Sequence, residues 1–141
     1  MAVNVVTLLR GAPIEVWATR ATGLLLPQGL IVLLIYSLGG LDLPLESLPL
    51  GLRIDPLHAL MHVVWGAGGA IVGFARPQWS TPWLLVFGIY YVAVAMLGMF
   101  TELRFGMHFG IRDNTFHLVV GSGAIAVALY AALRNRGALA R

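Results

Sequence analysis

Histidines and one aspartate carry most of the chemistry that this sequence offers. His58 and His62 are four positions apart in an apolar stretch, so they share one face of a helix. Asp113 and His117 repeat this spacing in a later apolar stretch. Three imidazoles and a carboxylate are ligands that suit zinc or another divalent ion. Two facing imidazoles could instead hold a haem, and one could hold the magnesium of a chlorin.

A structural role for these four side chains competes with ligation, and the sequence favours it. Imidazoles inside an apolar helix can bond to Asp113, Asn114 or backbone carbonyls and hold two helices in register. Proton handling is a third interpretation. We therefore expect no cofactor, with a metal ion, haem or chlorin as the alternative. The fourth histidine, His108, is predicted to lie in an interfacial loop.

The sequence lacks the patterns of common enzymes. It has no Ser, His and Asp set at recognisable spacing, no glycine-rich phosphate loop and no HExxH. The absence of cysteine excludes disulfides, thiolate metal sites and cysteine nucleophiles. The nine basic residues are all arginines and are scattered singly, unlike the basic runs of nucleic-acid-binding proteins. We expect neither an enzyme nor a nucleic-acid partner.

The composition identifies the elements that must position the histidines. Hydrophobic residues make up 59% of the chain and charged residues only 11%, whereas soluble domains carry about 25% charged residues. About 20 apolar residues cross a bilayer, and four stretches have that length: 21–38, 55–75, 82–101 and 113–133. The sequence predicts one all-α transmembrane domain over residues 1–141, an integral membrane four-helix bundle.

Caps and prolines indicate where these helices begin and end. Asp55-Pro56 is an N-cap followed by proline at the first helical position, and Thr81-Pro82 repeats it. Asp113-Asn114 offers a further cap. Arg76-Pro77 predicts the end of the second helix, and Pro27-Gln28 predicts a kink in the first.

Two segments outside the spans are less regular. Residues 1–20 mix apolar residues with Arg10, Glu15 and Arg20, so they could form an interfacial amphipathic helix or extend the first span. Residues 39–54 are rich in leucine, proline and glycine. We expect this loop to fold over the mouth of the bundle or against a partner protein.

Small residues continue the histidine faces along the second and fourth helices. Such residues allow close helix packing in lipid, and the predicted packing positions are Gly66, Gly69, Gly73, Gly121 and Ala124. The segments 62–66 and 117–121 both run from histidine to glycine, which indicates a weak internal repeat of two helical hairpins. We expect the second and fourth helices to meet through these small faces.

The chain resembles the DUF4383 family of small bacterial four-helix membrane proteins of unknown function. The resemblance rests on residues 55–66, D-P-L-H-x-x-x-H-x-x-x-G, and residues 113–121, D-N-x-x-H-x-x-x-G. Asp55 stands where the family usually has asparagine, and both residues are good N-caps. The resemblance extends over about residues 21–133. It implies the fold and singles out the same histidines and Asp113, but it implies no reaction.

The arginine distribution predicts the orientation. With both termini on one side, that side holds six of the nine arginines, so the positive-inside rule places both termini in the cytoplasm. We expect a multi-pass protein of the bacterial inner membrane. Its expected partners are lipid and other integral membrane subunits or further copies of itself.

The leading function hypothesis is a structural or accessory subunit of a larger membrane complex, for which a respiratory or photosynthetic assembly would be a natural host. The alternative is a metal-, haem- or chlorin-binding membrane protein that uses the residues on helices two and four. A transporter is the third hypothesis. It is disfavoured because ionisable residues are missing from the cytoplasmic half of each span.

Overall fold

The computed structural model describes residues 11–38, 55–100, 107 and 110–139, with the side chains given up to residue 135. Within these residues, four helices are long and apolar enough to cross a membrane. They are α1 (Ile14–Ser37), α2 (Pro56–Ala75), α3 (Pro77–Phe100) and α4 (Ile111–Leu139). The protein is an all-α membrane-type helical protein, as its composition predicts. The predicted docking loop 39–54 and His108 lie outside the described residues.

α1 is broken near its middle into two helical segments, Ile14–Thr22 and Leu25–Ser37. The break falls at Gly23-Leu24, and the carbonyl of Gly23 accepts a 3.1 Å hydrogen bond from the N–H of Leu26. Pro27 has no N–H to offer that carbonyl, and its ring would collide with it in a continuous helix. The proline predicted to kink α1 therefore accounts for a break that lies one turn before it.

The segment before the break is part of the bundle. Its residues Glu15, Val16, Thr19 and Thr22 are all buried. The hydroxyl of Thr19 donates to the carbonyl of Glu15 at 2.8 Å and also lies 3.3 Å from the carbonyl of Ser80 on α3. Of the two alternatives for the N-terminal segment, residues 14–22 therefore follow the extension of the first span, which begins at Ile14 rather than at residue 21.

The start of α2 agrees with the sequence signals. The carboxylate of Asp55 accepts the N–H of His58 at 2.9 Å, and Pro56 occupies the first helical position. The helix closes with a wider π-helical turn, Ile71–Ala75. Arg76 then leaves the helical region with φ −139° and ψ 52°, because the following proline disfavours helical backbone there.

α3 and α4 both start earlier than predicted. α3 opens with a 3-10 turn, Pro77–Trp79, and continues as Ser80–Phe100, so Pro82 lies within its first α-helical turn. A proline is tolerated there because first-turn N–H groups have no partner in the helix. α4 begins at Ile111 rather than at residue 113. Asp113 is thus inside the first turn, where its carboxylate accepts the N–H of Gly110 at 3.0 Å.

Close glycine contacts join α1 to α2. A side chain at Gly66 would collide with the backbone of Leu25 and Leu26, and one at Gly69 would meet Thr22 and Gly23. Gly73 faces the backbone and side chain of Arg20. All these neighbours lie on α1. The glycine stripe of α2 therefore packs against α1, and the predicted meeting of α2 and α4 through their small faces is wrong.

The second hairpin has an equivalent arrangement. A Cβ atom at Gly121 of α4 would lie 2.8 Å from the carbonyl oxygen of Gly88 on α3. Ala124, one turn further on, is buried against a cluster that includes Leu84 and Phe87 of α3. Each hairpin thus closes through glycine, which agrees with the internal repeat. A stripe of small residues indicates a close neighbour, but it does not indicate which helix provides it.

An ion pair shows that the start of α1 and the end of α4 lie at the same end of the bundle. The guanidinium of Arg134 lies 2.6 Å from Oε1 of Glu15, whose side chain is only 8% exposed. The histidine-bearing turns of α2 and α4 lie at the opposite end, which we call the histidine end. This end carries the candidate site.

Candidate functional site

Three imidazoles meet between α2 and α4 at the histidine end. His58 and His62 come from consecutive turns of α2, and His117 comes from α4. All three residues are buried, and one ring nitrogen of each lies within 4.8 Å of the others. The ring centroid of His58 lies 4.6 Å from that of His62 and 5.2 Å from that of His117. The fold thus brings together the three histidines that the sequence singles out on helices two and four.

The points at which α2 and α4 begin determine where each histidine lies along its helix. Asp55 caps the N–H of His58 and thereby defines the first turn of α2, and His62 follows one turn later on the same face. On the other helix, the N–H of Gly110 donates to the carboxylate of Asp113 and so ties the residue before α4 to its first turn. His117 lies one turn beyond Asp113. The first turns of α2 and α4 therefore determine the positions of the three rings along the bundle axis.

Gln28 of α1 positions the ring of His62. Its amide oxygen lies 2.5 Å from Nδ1 of that histidine. An amide oxygen can only accept a hydrogen bond, so Nδ1 carries the proton and Nε2 carries the lone pair. Nε2 of His62 is buried and has no hydrogen-bond partner among the described residues. This side chain is held in the tautomer that a metal ligand needs.

Asp113 lies beside the cluster without joining it. It is buried, with 3% exposure, and its carboxylate accepts the N–H of Gly110. Within the described residues, the group of side chains close enough to share one ion contains the three histidines alone. Asp113 does line the cavity onto which these rings open. The structure therefore separates the aspartate from the predicted set of four and leaves it as a neighbouring carboxyl group.

Aromatic side chains of α3 form the inner wall of the site. The ring of Tyr91 lies 5.0 Å from that of His117 and stacks on Phe87 at 4.3 Å. Trp65 of α2 lies 4.8 Å from the ring of Tyr90. The hydroxyl oxygen of Tyr91 is buried and has no hydrogen-bond partner among the described residues. The site is therefore shielded on this side by packed rings.

A cavity of about 310 Å³ adjoins the imidazoles on the side of α1. Its polar lining comes from the three histidines, Gln28 and Asp113, and its apolar lining comes from Leu24, Leu25 and Phe116. Leu24 is 70% exposed and Phe116 is 39% exposed, so the cavity reaches the outer surface between α1 and α4. The imidazole cluster can thus be approached from the side of the bundle.

Gln28 and Tyr91 take part in the site but are not among the site residues predicted from the sequence. In the sequence, Gln28 stands beside Pro27 as part of a predicted kink. A polar side chain in the middle of an apolar span is itself a signal, because it must find a partner away from lipid. Tyr91 carries a weaker signal: a tyrosine at 90 or 91 could donate a hydrogen bond inside the bundle, but the sequence favours an ordinary packed or lipid-facing tyrosine and does not show which of the two faces inward.

Comparison with known proteins identifies the family. The model of the domain of unknown function DUF4383 matches residues 44–130, which is more than half of the chain. The protein therefore belongs to this family, as its two histidine patterns predict. No curated protein matches the chain significantly, and no solved structure does so either.

Proposed function

We propose that this DUF4383 protein binds one divalent transition-metal ion, with zinc as the first candidate, through His58, His62 and His117. The observation that carries the proposal is the buried Nε2 of His62. It lies unpartnered in a cluster of three imidazoles, while Gln28 holds the other nitrogen of the ring. A histidine whose second nitrogen is bonded to a fixed acceptor is the usual arrangement in metal sites.

The spacing of the rings is close to what an ion requires. Zinc–nitrogen bonds of about 2.0–2.1 Å in tetrahedral geometry place ligand nitrogens roughly 3.3 Å apart. The nitrogens here lie within 4.8 Å of one another. Side-chain rotations that move each nitrogen by roughly one ångström would complete the site. Three protein ligands leave a fourth position open, as in catalytic zinc sites.

The arrangement favours a bare ion over haem or chlorin. The ring centroids of His62 and His117 are 6.3 Å apart, which is close to the separation of two axial ligands. His58 lies close to both of these rings, so it occupies the space that a flat macrocycle would need. A single ion can bind all three rings at once.

Metal analysis of the purified protein tests the proposal. The protein is extracted in mild detergent, and zinc, iron and magnesium are measured together with the absorbance spectrum. We expect about one transition-metal ion per chain, lost in His62→Ala and His117→Ala. His108→Ala is the matched control, because this histidine is predicted to lie in a loop, and it should retain the ion. Gln28→Leu should weaken binding by about 10- to 100-fold, because the tautomer of His62 is no longer fixed.

A folded protein that binds no ion after incubation with zinc, cobalt or iron would overturn the proposal. The histidines would then be interhelical hydrogen-bonding groups, which is the structural role that the sequence favoured. The accessory-subunit hypothesis is independent of this result. It stays a prediction, to be tested by identifying what copurifies with the protein from its native membrane.

The expected orientation completes the proposed function: both termini in the cytoplasm and the metal site toward the outer side of a bacterial inner membrane. The ion pair between Glu15 and Arg134 supports two ends on one side, and the arginine distribution supports the cytoplasmic side. A reporter that is active only in the cytoplasm, fused after Arg141, should be active. Activity of a periplasm-specific reporter at the same position would reverse the assignment.

A further inference from the structure

A lateral fissure runs between α1 and α4, from the histidine end toward the other end of the bundle. The cavity beside the imidazoles shares Leu24, Leu25 and Phe116 with a second cavity of about 380 Å³. This second cavity follows one face of α4 from Phe116 to Val127. Eleven residues of helix correspond to about 16 Å. The two cavities together are long and narrow and open to the surrounding lipid at Leu24.

The lining of the fissure changes from polar to apolar along its length. No charged side chain lines the second cavity, whose walls are mostly alanine, leucine, valine and aromatic residues, together with Gly123 and Thr22. The hydroxyl of Thr22 donates to the carbonyl of Thr19 within α1. The end at the histidines carries imidazoles, an amide and a carboxyl group. Such a gradient matches an amphipathic molecule with a small polar head and one long chain, and it does not match a bilayer lipid with two chains and a bulky head.

A buried tyrosine lies beside both the imidazole cluster and the second cavity. Tyr91 lines the second cavity and is only 2% exposed. Its oxygen has no hydrogen-bond partner among the described residues, although buried hydroxyls normally have one. Its ring lies 5.0 Å from that of His117. An oxygen atom of a bound head group would supply the missing partner.

Gly123 leaves the middle of the fissure open. A Cβ atom built at this glycine meets nothing within 4 Å, in contrast to Gly121, two residues earlier, which is closed off by α3. The space beside Gly123 is therefore not required for packing the helices. Because Gly123 lines the second cavity, a large side chain placed there should take up part of the space in the fissure.

We infer that the fissure binds one single-chain lipid, with its chain along α4 and a hydrogen-bond-accepting oxygen head, such as a quinone carbonyl or a fatty-acid carboxyl, at Tyr91 and the histidines. The chain-binding part stands on the fissure alone. Only contact of the head with a bound ion rests on the proposed metal site, whose open fourth position an oxygen atom could occupy.

Electron paramagnetic resonance with a nitroxide-labelled fatty acid tests the binding of the chain. In detergent-solubilised wild-type protein we expect an immobilised component of about one probe per chain. Gly123→Phe should abolish it, and Gly123→Leu, which fills less space, should reduce it. Ser122→Phe is the matched control. This neighbouring residue is exposed and lines neither cavity, so the variant should bind as the wild type does. Equal immobilisation in all four proteins would show only annular lipid and would overturn the inference.

Competition identifies the head group. A short-chain benzoquinone with an alkyl tail and an unlabelled fatty acid are compared with a headless alkane as displacers of the probe. The stronger displacer defines the head, and displacement by the alkane at the same concentration would overturn the head-group assignment. Tyr91→Phe should weaken the binding of the better displacer by about two- to tenfold, the usual worth of one hydrogen bond, and an unchanged affinity would remove Tyr91 from the site.

Metal content measured on the same samples separates the two proposals. Gly123→Phe should lose the probe but retain the ion. If no ion is found but Gly123→Phe still immobilises less probe than Ser122→Phe, the metal site is refuted and the lipid site is supported. If the ion is found but both variants immobilise the probe equally, the lipid site is refuted and the metal site is supported.

Discussion

The contact between Gly88 and Gly121 gives a sharp prediction about stability. An alanine Cβ at position 121 would lie 2.8 Å from the carbonyl oxygen of Gly88 and 2.9 Å from the backbone nitrogen of Val92. Carbon–oxygen contacts are normally about 3.3–3.6 Å, so α3 and α4 would have to separate by roughly half an ångström. Because both opposing atoms belong to backbone, no side-chain rotation can relieve the overlap.

The expected cost follows from that displacement. A gap of about half an ångström forfeits roughly a quarter of the dispersion attraction along the contact, and overpacking typically destabilises by about 1–3 kcal/mol. Gly123→Ala is the matched control on the same helix, since its Cβ meets nothing within 4 Å. Alanine there should be neutral or stabilising by up to about 1 kcal/mol, because glycine is the poorer helix former.

The assay is unfolding in mixed micelles with increasing sodium dodecyl sulfate, followed by helical circular dichroism. Gly121→Ala should unfold at a lower detergent fraction than the wild type, and its free energy of unfolding should fall below that of Gly123→Ala by about 1–4 kcal/mol. Two alanine variants of equal stability would show that α3 and α4 do not pack through this glycine pair.

Three further predictions concern the ends of the bundle and the metal site. Arg134→Met should destabilise the protein more than Glu15→Gln, because the arginine substitution leaves a buried carboxylate without its partner. A larger loss of unfolding free energy in Glu15→Gln, measured by the same assay, would contradict this prediction. Asp55→Ala should cost about 1 kcal/mol through loss of the helix cap, whereas Asp55→Asn should be nearly neutral, and equal loss in both would point to a role for the charge. Metal retention should fall as the pH is lowered, because protons compete with the ion for the imidazoles; equilibrium dialysis at several pH values measures it, and retention independent of pH would exclude histidine ligation.

The sequence was sufficient for the features that depend on local chemistry. Composition predicted four spans because no soluble fold could cover so much apolar surface. Asp55 and Pro56 predicted the start of α2 because the cap and the missing N–H act within one turn. The spacing of His58 and His62 predicted a shared face for the same reason. Each of these inferences needed only neighbours within a few residues.

The features that required tertiary information were the partners across helices. Gly66 and Gly121 were recognised as packing positions, but each packs against the preceding helix of its own hairpin rather than against the other's glycine face. Gln28 reaches His62 from 34 positions away, and no pattern within one helix indicates that bond. The break in α1 is a different case, because it is local: Pro27 acts on the carbonyl four residues before it, so the break precedes the proline.

The division of contacts explains why the polar chemistry lies where it does. Glycines let α1 approach α2, and α3 approach α4, until their backbones are in contact, which leaves little space between the two helices of a hairpin at these positions. Among the described residues, the two cavities of the fissure lie where the two hairpins face each other. There, His62 of one hairpin and His117 of the other lie across the interface, and the fissure opens beside them. An ion bound to both would therefore link two units that are otherwise held mainly by side chains, so its binding and the joining of the hairpins should be coupled.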